Sequence, residues 1–75
     1  MGLSFSLSRP YPTLMQVIVN TKTGKAFRGI LWRRRAGYLV LRNAEVLLGR
    51  DGVAPMEGEL VIEASNVDFL QVMGG

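Results

Sequence analysis

A run of arginines beside two aromatic residues is the part of this sequence whose residue types could do chemistry. Arg33, Arg34 and Arg35 are adjacent, with Trp32 before them and Tyr38 shortly after. Guanidinium groups neutralise phosphates and aromatic rings stack on bases, so the pattern is typical of a contact with single-stranded nucleic acid. The alternative is a solvated hairpin tip that keeps the surface soluble. Trp32 taken alone favours packing or an interface over a base-stacking platform.

Other kinds of chemistry find little support in the sequence. The chain has no histidine and no cysteine, which removes disulfides and most zinc and haem sites. It also lacks a glycine-rich phosphate loop. Glu57 and Glu59 lie close together at the start of a predicted strand, a position typical of a solvated edge. We therefore expect neither an enzyme nor a cofactor.

The length and composition favour a single small domain that associates with itself. The chain has 75 residues, and a domain of this size buries only about 60% of its unfolded surface, so a lone core is marginally stable. Yet 48% of the residues are hydrophobic and the mean hydropathy is +0.20, both high for a very small monomer. Without disulfides or metals to stabilise the domain, oligomerisation is the expected remedy.

The charge and the absence of long apolar runs bear on partners and location. A formal net charge of +3 and a pI of about 10.0 mildly favour a polyanionic partner. No apolar run approaches the roughly 20 residues that a membrane-spanning helix needs, so no membrane partner is expected. The start of the sequence does not have the pattern of a signal peptide, which predicts a cytoplasmic location.

Alternating apolar residues and turn residues predict an all-β fold. We expect an N-terminal arm over residues 1–13, with at most one helical turn near its end, followed by a barrel domain over residues 14–73. Gly29 interrupts the second strand, which indicates a bend or a close backbone approach. The five predicted strands are Met15–Lys22, Lys25–Arg34, Tyr38–Leu48, Glu59–Ala64 and Val67–Met73, with a loop at Gly49–Gly58 and a tight turn at Ser65-Asn66.

Both faces of the predicted sheet carry apolar residues. Ile30 and Trp32, for example, alternate with Phe27 and Leu31 along the second strand. A solvated antiparallel sheet is polar on its outer face, so an apolar outer face predicts a second cover. In so short a chain, that cover is expected to come from another subunit.

Two segments of the sequence match a known pattern. The first reads VIVNTKTGKAFRGIL at residues 17–31 and continues as YLVLRNA at residues 38–44. The second reads GELVIEASNVDFL at residues 58–70. In this order, separated by a variable loop, they resemble the two motifs of the Sm-like (LSm) proteins. The resemblance extends from about Arg9 to Val72.

The resemblance implies a small, strongly bent five-stranded barrel related to SH3-like barrels. It also implies a closed homo-oligomeric ring of six or seven subunits, in which the fourth predicted strand of one subunit pairs with the fifth of the next. Sm-like proteins usually begin with a helix of several turns. Here Arg9 and Pro10 are followed almost directly by the first strand, so that helix is expected to be a stub.

The resemblance places an RNA pocket on the pore side of the ring, but this sequence departs from the pocket's usual residues. An aspartate and an asparagine are expected in the loop after the second strand, and Tyr38 stands where the asparagine would be. The arginine-glycine pair of the second half is replaced by Glu63-Ala64, in a pore-side turn that also includes Asn66. We expect RNA binding or an RNA-associated scaffold acting through the basic loop, or alternatively a structural ring without nucleic acid. In a ring, the arginines could also pair with glutamates around the pore.

Overall fold

The chain forms an antiparallel sheet that curls on itself. The computed structural model describes residues 13–73. The six strands are β1 (Met15–Thr21), β2 (Ala26–Arg35), β3 (Tyr38–Leu47), β4 (Val53–Pro55), β5 (Leu60–Glu63) and β6 (Val67–Val72). Single turns of 3-10 helix occupy Gly49–Asp51 and Ala64–Asn66. The predicted all-β fold is confirmed, and the five predicted strands correspond to β1, β2, β3, β5 and β6.

Strand β4 was not predicted, because it lies inside the segment expected to be a loop. It pairs with the end of β3, with Ala54 opposite Val46. Three residues that follow Gly52 and end with Pro55 are too few to give a period-two signal. Here the pairing with β3 determines the conformation, and the local sequence does not.

The long strand β3 gives the sheet its curvature. Its first part, from Tyr38 to Leu41, pairs with β5, whereas its end pairs with β4. The remaining order is β3, β2, β1 and β6. The concave side buries a compact apolar core made of Val17, Val19, Leu31, Leu39, Leu41, Ala44 and Ile62. These residues alternate along their strands, which is why the period-two pattern predicted most of the sheet.

Gly29 lies where two strand backbones approach each other closely. Between the pairs Arg28–Glu45 and Ile30–Arg42, the single residue Gly29 of β2 faces two residues of β3. This is a β-bulge, and its first residue, Asn43, has a φ of 52°. Ala44 is the second residue of the bulge. A Cβ atom on Gly29 would lie 3.1 Å from the Cα of Ala44. The close approach predicted from the sequence is therefore confirmed.

The N-terminal arm predicted over residues 1–13 lies outside the described residues, except for Thr13. At the start of the described chain, Thr13 and Leu14 form no helical turn. Leu14 has a φ of 61°, and its N–H donates to the carbonyl of Leu31 at 2.6 Å. The backbone thus enters β1 already bonded to β2. The part of the predicted helical stub that falls on residues 13–15 is not formed.

Three strands have one unpaired edge among the described residues. Strands β4 and β5 each pair with β3 alone, and strand β6 pairs with β1 alone. Strands β5 and β6 follow each other in the chain but have no ladder between them, so the sheet does not close through its own strand pairing. Unpaired edges are places where another strand can be added.

Candidate nucleic-acid interface

The three arginines lie at the end of β2 and belong to the strand. Arg33, Arg34 and Arg35 pair with Val40, Leu39 and Tyr38, and the turn itself is only Ala36-Gly37. The predicted second strand ended at Arg34, and the ladder with β3 extends β2 by one residue, to Arg35. Consequently the arginines project from an ordered strand, and all three are exposed.

A second β-bulge determines which arginines share a face. Leu31 pairs with Leu41 and Arg33 pairs with Val40, so Trp32 is one extra residue in β2. The extra residue shifts the alternation, and Trp32 and Arg33 both project from the outer face of the sheet. Without the bulge, the alternation would be unbroken, and Arg33 would project from the same side of the sheet as the buried Leu31.

The same shift separates the arginine run into two sets. Arg33 and Arg35 project from the same side of the sheet as their ladder partners Val40 and Tyr38. Arg34 projects from the same side as its partner Leu39, whose side chain is buried in the core. Arg33 and Arg35 therefore lie on the outer face together with Trp32 and Tyr38, and Arg34 lies on the opposite side. The three arginines do not form one patch.

Arg42 covers the ring of Trp32 on this outer face. The guanidinium carbon of Arg42 lies 3.9 Å from the ring centroid, a cation–π contact. Arg42 also donates from Nε and Nη2 to Glu59 Oε2 at 3.0 and 2.9 Å. Neither Arg42 nor Glu59 was singled out as a site residue, and Glu59 was interpreted as a solvated edge. Arg42 and Glu59 are 17 positions apart in the sequence, so no local pattern predicts this contact.

The two halves of the predicted pocket do come together. Tyr38 is the ladder partner of Glu63, and the N–H of Ala64 donates to the carbonyl of Gly37 at 2.8 Å. Because Tyr38 also pairs with Arg35, a row of Arg35, Tyr38 and Glu63 crosses β2, β3 and β5. The Glu63-Ala64 turn thus lies directly beside the β2–β3 hairpin.

Asn66 lies at the far end of that turn. Its carbonyl accepts a hydrogen bond from the N–H of Lys22 at 2.8 Å, which joins it to the β1–β2 hairpin. Glu63 and Asn66 both line an open groove of about 320 Å³ between β5 and the β1–β2 hairpin. Asn66 therefore borders the groove and lies outside the row of Arg35, Tyr38 and Glu63.

Two ion pairs within residues 13–73 involve side chains of β2 and β3, away from the Ala36-Gly37 turn. Arg28 pairs with Glu45 at 2.6 Å, and Arg42 pairs with Glu59 at 2.9 Å. No ion pair between residues 13 and 73 includes Glu63. The carboxylate of Glu63 thus adds a negative charge to the row that contains the exposed Arg35 and Tyr38.

Residues 13–73 contain no group of three or more acidic side chains that could hold a metal ion. No helix in this part of the chain has the length and apolar character needed to cross a membrane. The arrangement that the fold does provide is a cationic and aromatic outer face on β2 and β3, bordered by Glu59, just before β5, and by Glu63 at the end of β5.

Comparison with known proteins gives a clear result for structure and none for sequence families. No protein-family model and no curated protein matches the sequence. The structure of a heptameric archaeal Sm protein is similar, with a TM-score of 0.71 and 27% identity over 81% of this chain and 88% of that one. The SmAP1 heptamer of P. aerophilum gives a TM-score of 0.72 and 28% identity over 83% and 82%.

These similarities define the class of protein. The chain has the Sm-like fold over most of its length, as the two sequence motifs predicted. Within that fold, both halves of the expected RNA pocket carry residues that differ from the Sm-like pattern.

Proposed function

We propose that this protein assembles into a homo-oligomeric ring of six or seven subunits that binds single-stranded RNA. The RNA would contact the end of β2 and the neighbouring Tyr38. The observation that carries the proposal is that Arg33, Arg35 and Tyr38 project together beside the Glu63-Ala64 turn. These are the positions at which the Sm-like resemblance places the RNA pocket. The proposal gives the protein no catalytic activity, and we expect it to act in the cytoplasm.

The unpaired strand edges support the ring. The free edges of β5 and β6 differ in sequence, so a contact between them is head-to-tail and generates a ring when the rotation closes. Val61 on β5 and Phe69 on β6 are 55% and 53% exposed. Pairing the two edges would cover exposed apolar surface and satisfy unpaired backbone groups in one step. Similar structures of Sm proteins are heptamers.

Charge supports RNA as the partner. Each subunit presents three exposed arginines at one hairpin, and a ring multiplies that number. Each phosphate neutralised on a single strand contributes a slope of about −0.7 in log affinity against log salt. Tyr38 adds a ring on which a base can stack, since it is 44% exposed.

Glu63 favours a second candidate function, a structural or protein-interaction ring without nucleic acid. The carboxylate belongs to no ion pair among the described residues and stands where an arginine would contact RNA. A carboxylate at that position repels phosphate. In this alternative the hairpin arginines would pair with Glu63 of neighbouring subunits around the pore.

Binding of oligo-U and oligo-A RNA across a series of salt concentrations tests the two candidates. We expect replacement of Arg33, Arg34 and Arg35 by serine to weaken binding and to flatten the salt dependence. The matched control replaces three cations elsewhere, at Lys22, Lys25 and Arg50, and should change the affinity less. Glu63→Arg should strengthen binding, because it replaces a repelling charge with an attracting one.

The outcomes separate the candidates. If the serine variant binds RNA with the parent's affinity and salt slope, the hairpin is not the RNA site. If neither the parent nor Glu63→Arg binds single-stranded RNA at low salt, the structural ring replaces the RNA-binding proposal. The oligomeric state of every variant is measured alongside, so that loss of assembly is not mistaken for loss of contacts.

A further inference from the structure

We propose that Trp32, Arg42 and Glu59 form a second RNA contact, in which a nucleobase stacks on the Arg42 guanidinium. This inference rests on the proposed function only in taking single-stranded RNA as the ligand. The Sm-like resemblance assigns no role to these three residues. Their site would lie on the outer face of β2, β3 and β5, beside the row of Arg35, Tyr38 and Glu63.

The geometry makes the guanidinium a fixed platform. One face of the Arg42 guanidinium packs on the indole ring, with 3.9 Å between its central carbon and the ring centroid. Glu59 Oε2 accepts from both Nε and Nη2, at 3.0 and 2.9 Å, which fixes the plane from one edge. Single-stranded RNA bases stack on aromatic side chains and on arginine planes. Since the plane is already fixed, little side-chain freedom is lost when a base stacks on its other face.

The Arg42 guanidinium is accessible to solvent and has N–H groups that the ion pair does not use. The side chains of Arg42 and Glu59 are 44% and 39% exposed. The ion pair uses one N–H of Nε and one of Nη2, and a guanidinium has further N–H groups. Those groups lie away from Glu59 and can donate to a phosphate or to a base edge. The site thus combines a stacking plane with a positive charge, as single-strand binding requires.

The bulge in β2 makes this platform continuous with the arginine hairpin. It brings Trp32 and Arg33 to the same face, and Arg35 follows on that face two residues later. Arg35 follows Trp32 by three residue steps along the strand, about 10 Å at about 3.3 Å per step. One RNA strand can therefore contact the hairpin tip and the platform together. We expect tolerance of base identity, because every base has a face that stacks.

The single tryptophan provides a direct probe. Trp32 is the only tryptophan in the chain, so the intrinsic fluorescence reports on this site alone. Titration with oligo-U and with oligo-A at low salt should change the Trp32 emission saturably and protect it from acrylamide quenching. An emission unchanged by RNA that binds by an independent measurement would overturn the inference.

Arg42→Lys tests the stacking plane, because it keeps the charge and removes the planar group. We expect RNA affinity to fall roughly 5- to 150-fold, the range for loss of one base stack, with a smaller fluorescence change. The matched control is Arg28→Lys. Arg28 forms the same type of ion pair, with Glu45, but makes no cation–π contact with a described residue. Arg28→Lys should leave affinity within about twofold of the parent, as expected for a change away from the platform.

Folding is checked by circular dichroism and thermal unfolding of each variant. If Arg42→Lys is too unstable to assay, Trp32→Phe replaces it, with labelled RNA as the readout and the same loss expected. A folded Arg42→Lys variant that binds like the parent would mean that the cluster only stabilises the barrel, which overturns the inference.

The two proposals fail separately. If the serine triple variant at the hairpin loses binding while RNA never alters Trp32 in the parent, the further inference is wrong and the proposed hairpin site stands. If the triple variant still binds and Arg42→Lys does not, the further inference stands and the hairpin site is wrong. If the parent binds no RNA, both are wrong.

Discussion

Replacing Gly29 by alanine should destabilise the protein, although the same change in most strands stabilises. Glycine in a strand interior usually costs about 0.5–1 kcal/mol relative to alanine. At Gly29, however, a Cβ atom would lie 3.1 Å from both the Cα of Ala44 and the carbonyl oxygen of Arg42, and 3.3 Å from the Cβ of Ala44. Ordinary contacts of a Cβ begin near 3.4 Å, so the β3 backbone must move by a few tenths of an ångström.

The size of the effect follows from what has to move. Ala44 is only 2% exposed and belongs to the core, and two of the three close atoms are backbone. Overpacking of a core site typically costs about 1–3 kcal/mol, which outweighs the gain from replacing glycine. We expect a net loss of about 1 kcal/mol for Gly29→Ala and more for Gly29→Val. For a domain of this size, 1 kcal/mol lowers Tm by about 4–8 °C.

The assay is thermal unfolding of parent and variants at one fixed subunit concentration, because assembly makes Tm depend on concentration. A double-mutant cycle with Ala44→Gly serves as the control. Removing the Ala44 side chain relieves the 3.3 Å contact and leaves the two 3.1 Å backbone contacts, so part of the loss should be recovered. A Gly29→Ala protein with an unchanged or higher Tm would refute the close-approach argument.

Two further substitutions test the strand edge and the first hairpin. Phe69→Glu should reduce the oligomer to smaller species in light scattering, because Phe69 is exposed on the free β6 strand, whereas Val53→Glu on β4 should leave the assembly intact. Equal effects would argue against the β6 edge as the interface. Thr21→Val should cost about 1 kcal/mol in thermal unfolding, because the buried Thr21 hydroxyl bonds to the backbone of Lys25 at 2.9 and 3.0 Å. Thr23→Val removes only the 2.9 Å bond between the Thr23 and Thr21 hydroxyls, at an exposed residue, and should cost less; a larger loss at Thr23 would contradict this assignment.

The sequence predicted the strands well, but of the two bulges it indicated only the close approach at Gly29. Buried residues such as Val17, Val19 and Leu39 recur at the strand period, and this signal is local. A bulge depends on the partner strand, so neither Trp32 nor Asn43 could be recognised as a place where the alternation shifts. Gly29 was the exception, since a glycine within an apolar strand already indicated a close approach.

The candidate site was predictable in composition and not in arrangement. The arginine run and its aromatic neighbours stand out in the sequence, but the Trp32 bulge determines which arginines share a face. Arg42 and Glu59 contribute to that face through a contact 17 residues apart, which no spacing rule anticipates. The Glu63-Ala64 turn was placed correctly beside the hairpin only because the Sm-like resemblance supplied the long-range pairing.

Native mass spectrometry, with and without single-stranded RNA, tests the central claim most directly. The claim is that this Sm-like chain forms a ring through its free edges and binds RNA as that ring. We expect one closed species of six or seven copies of the 8.3 kDa chain, and an added mass of RNA on that species. A spectrum dominated by the 8.3 kDa monomer at micromolar concentration would contradict the ring, and an intact ring that never retains RNA would contradict RNA binding.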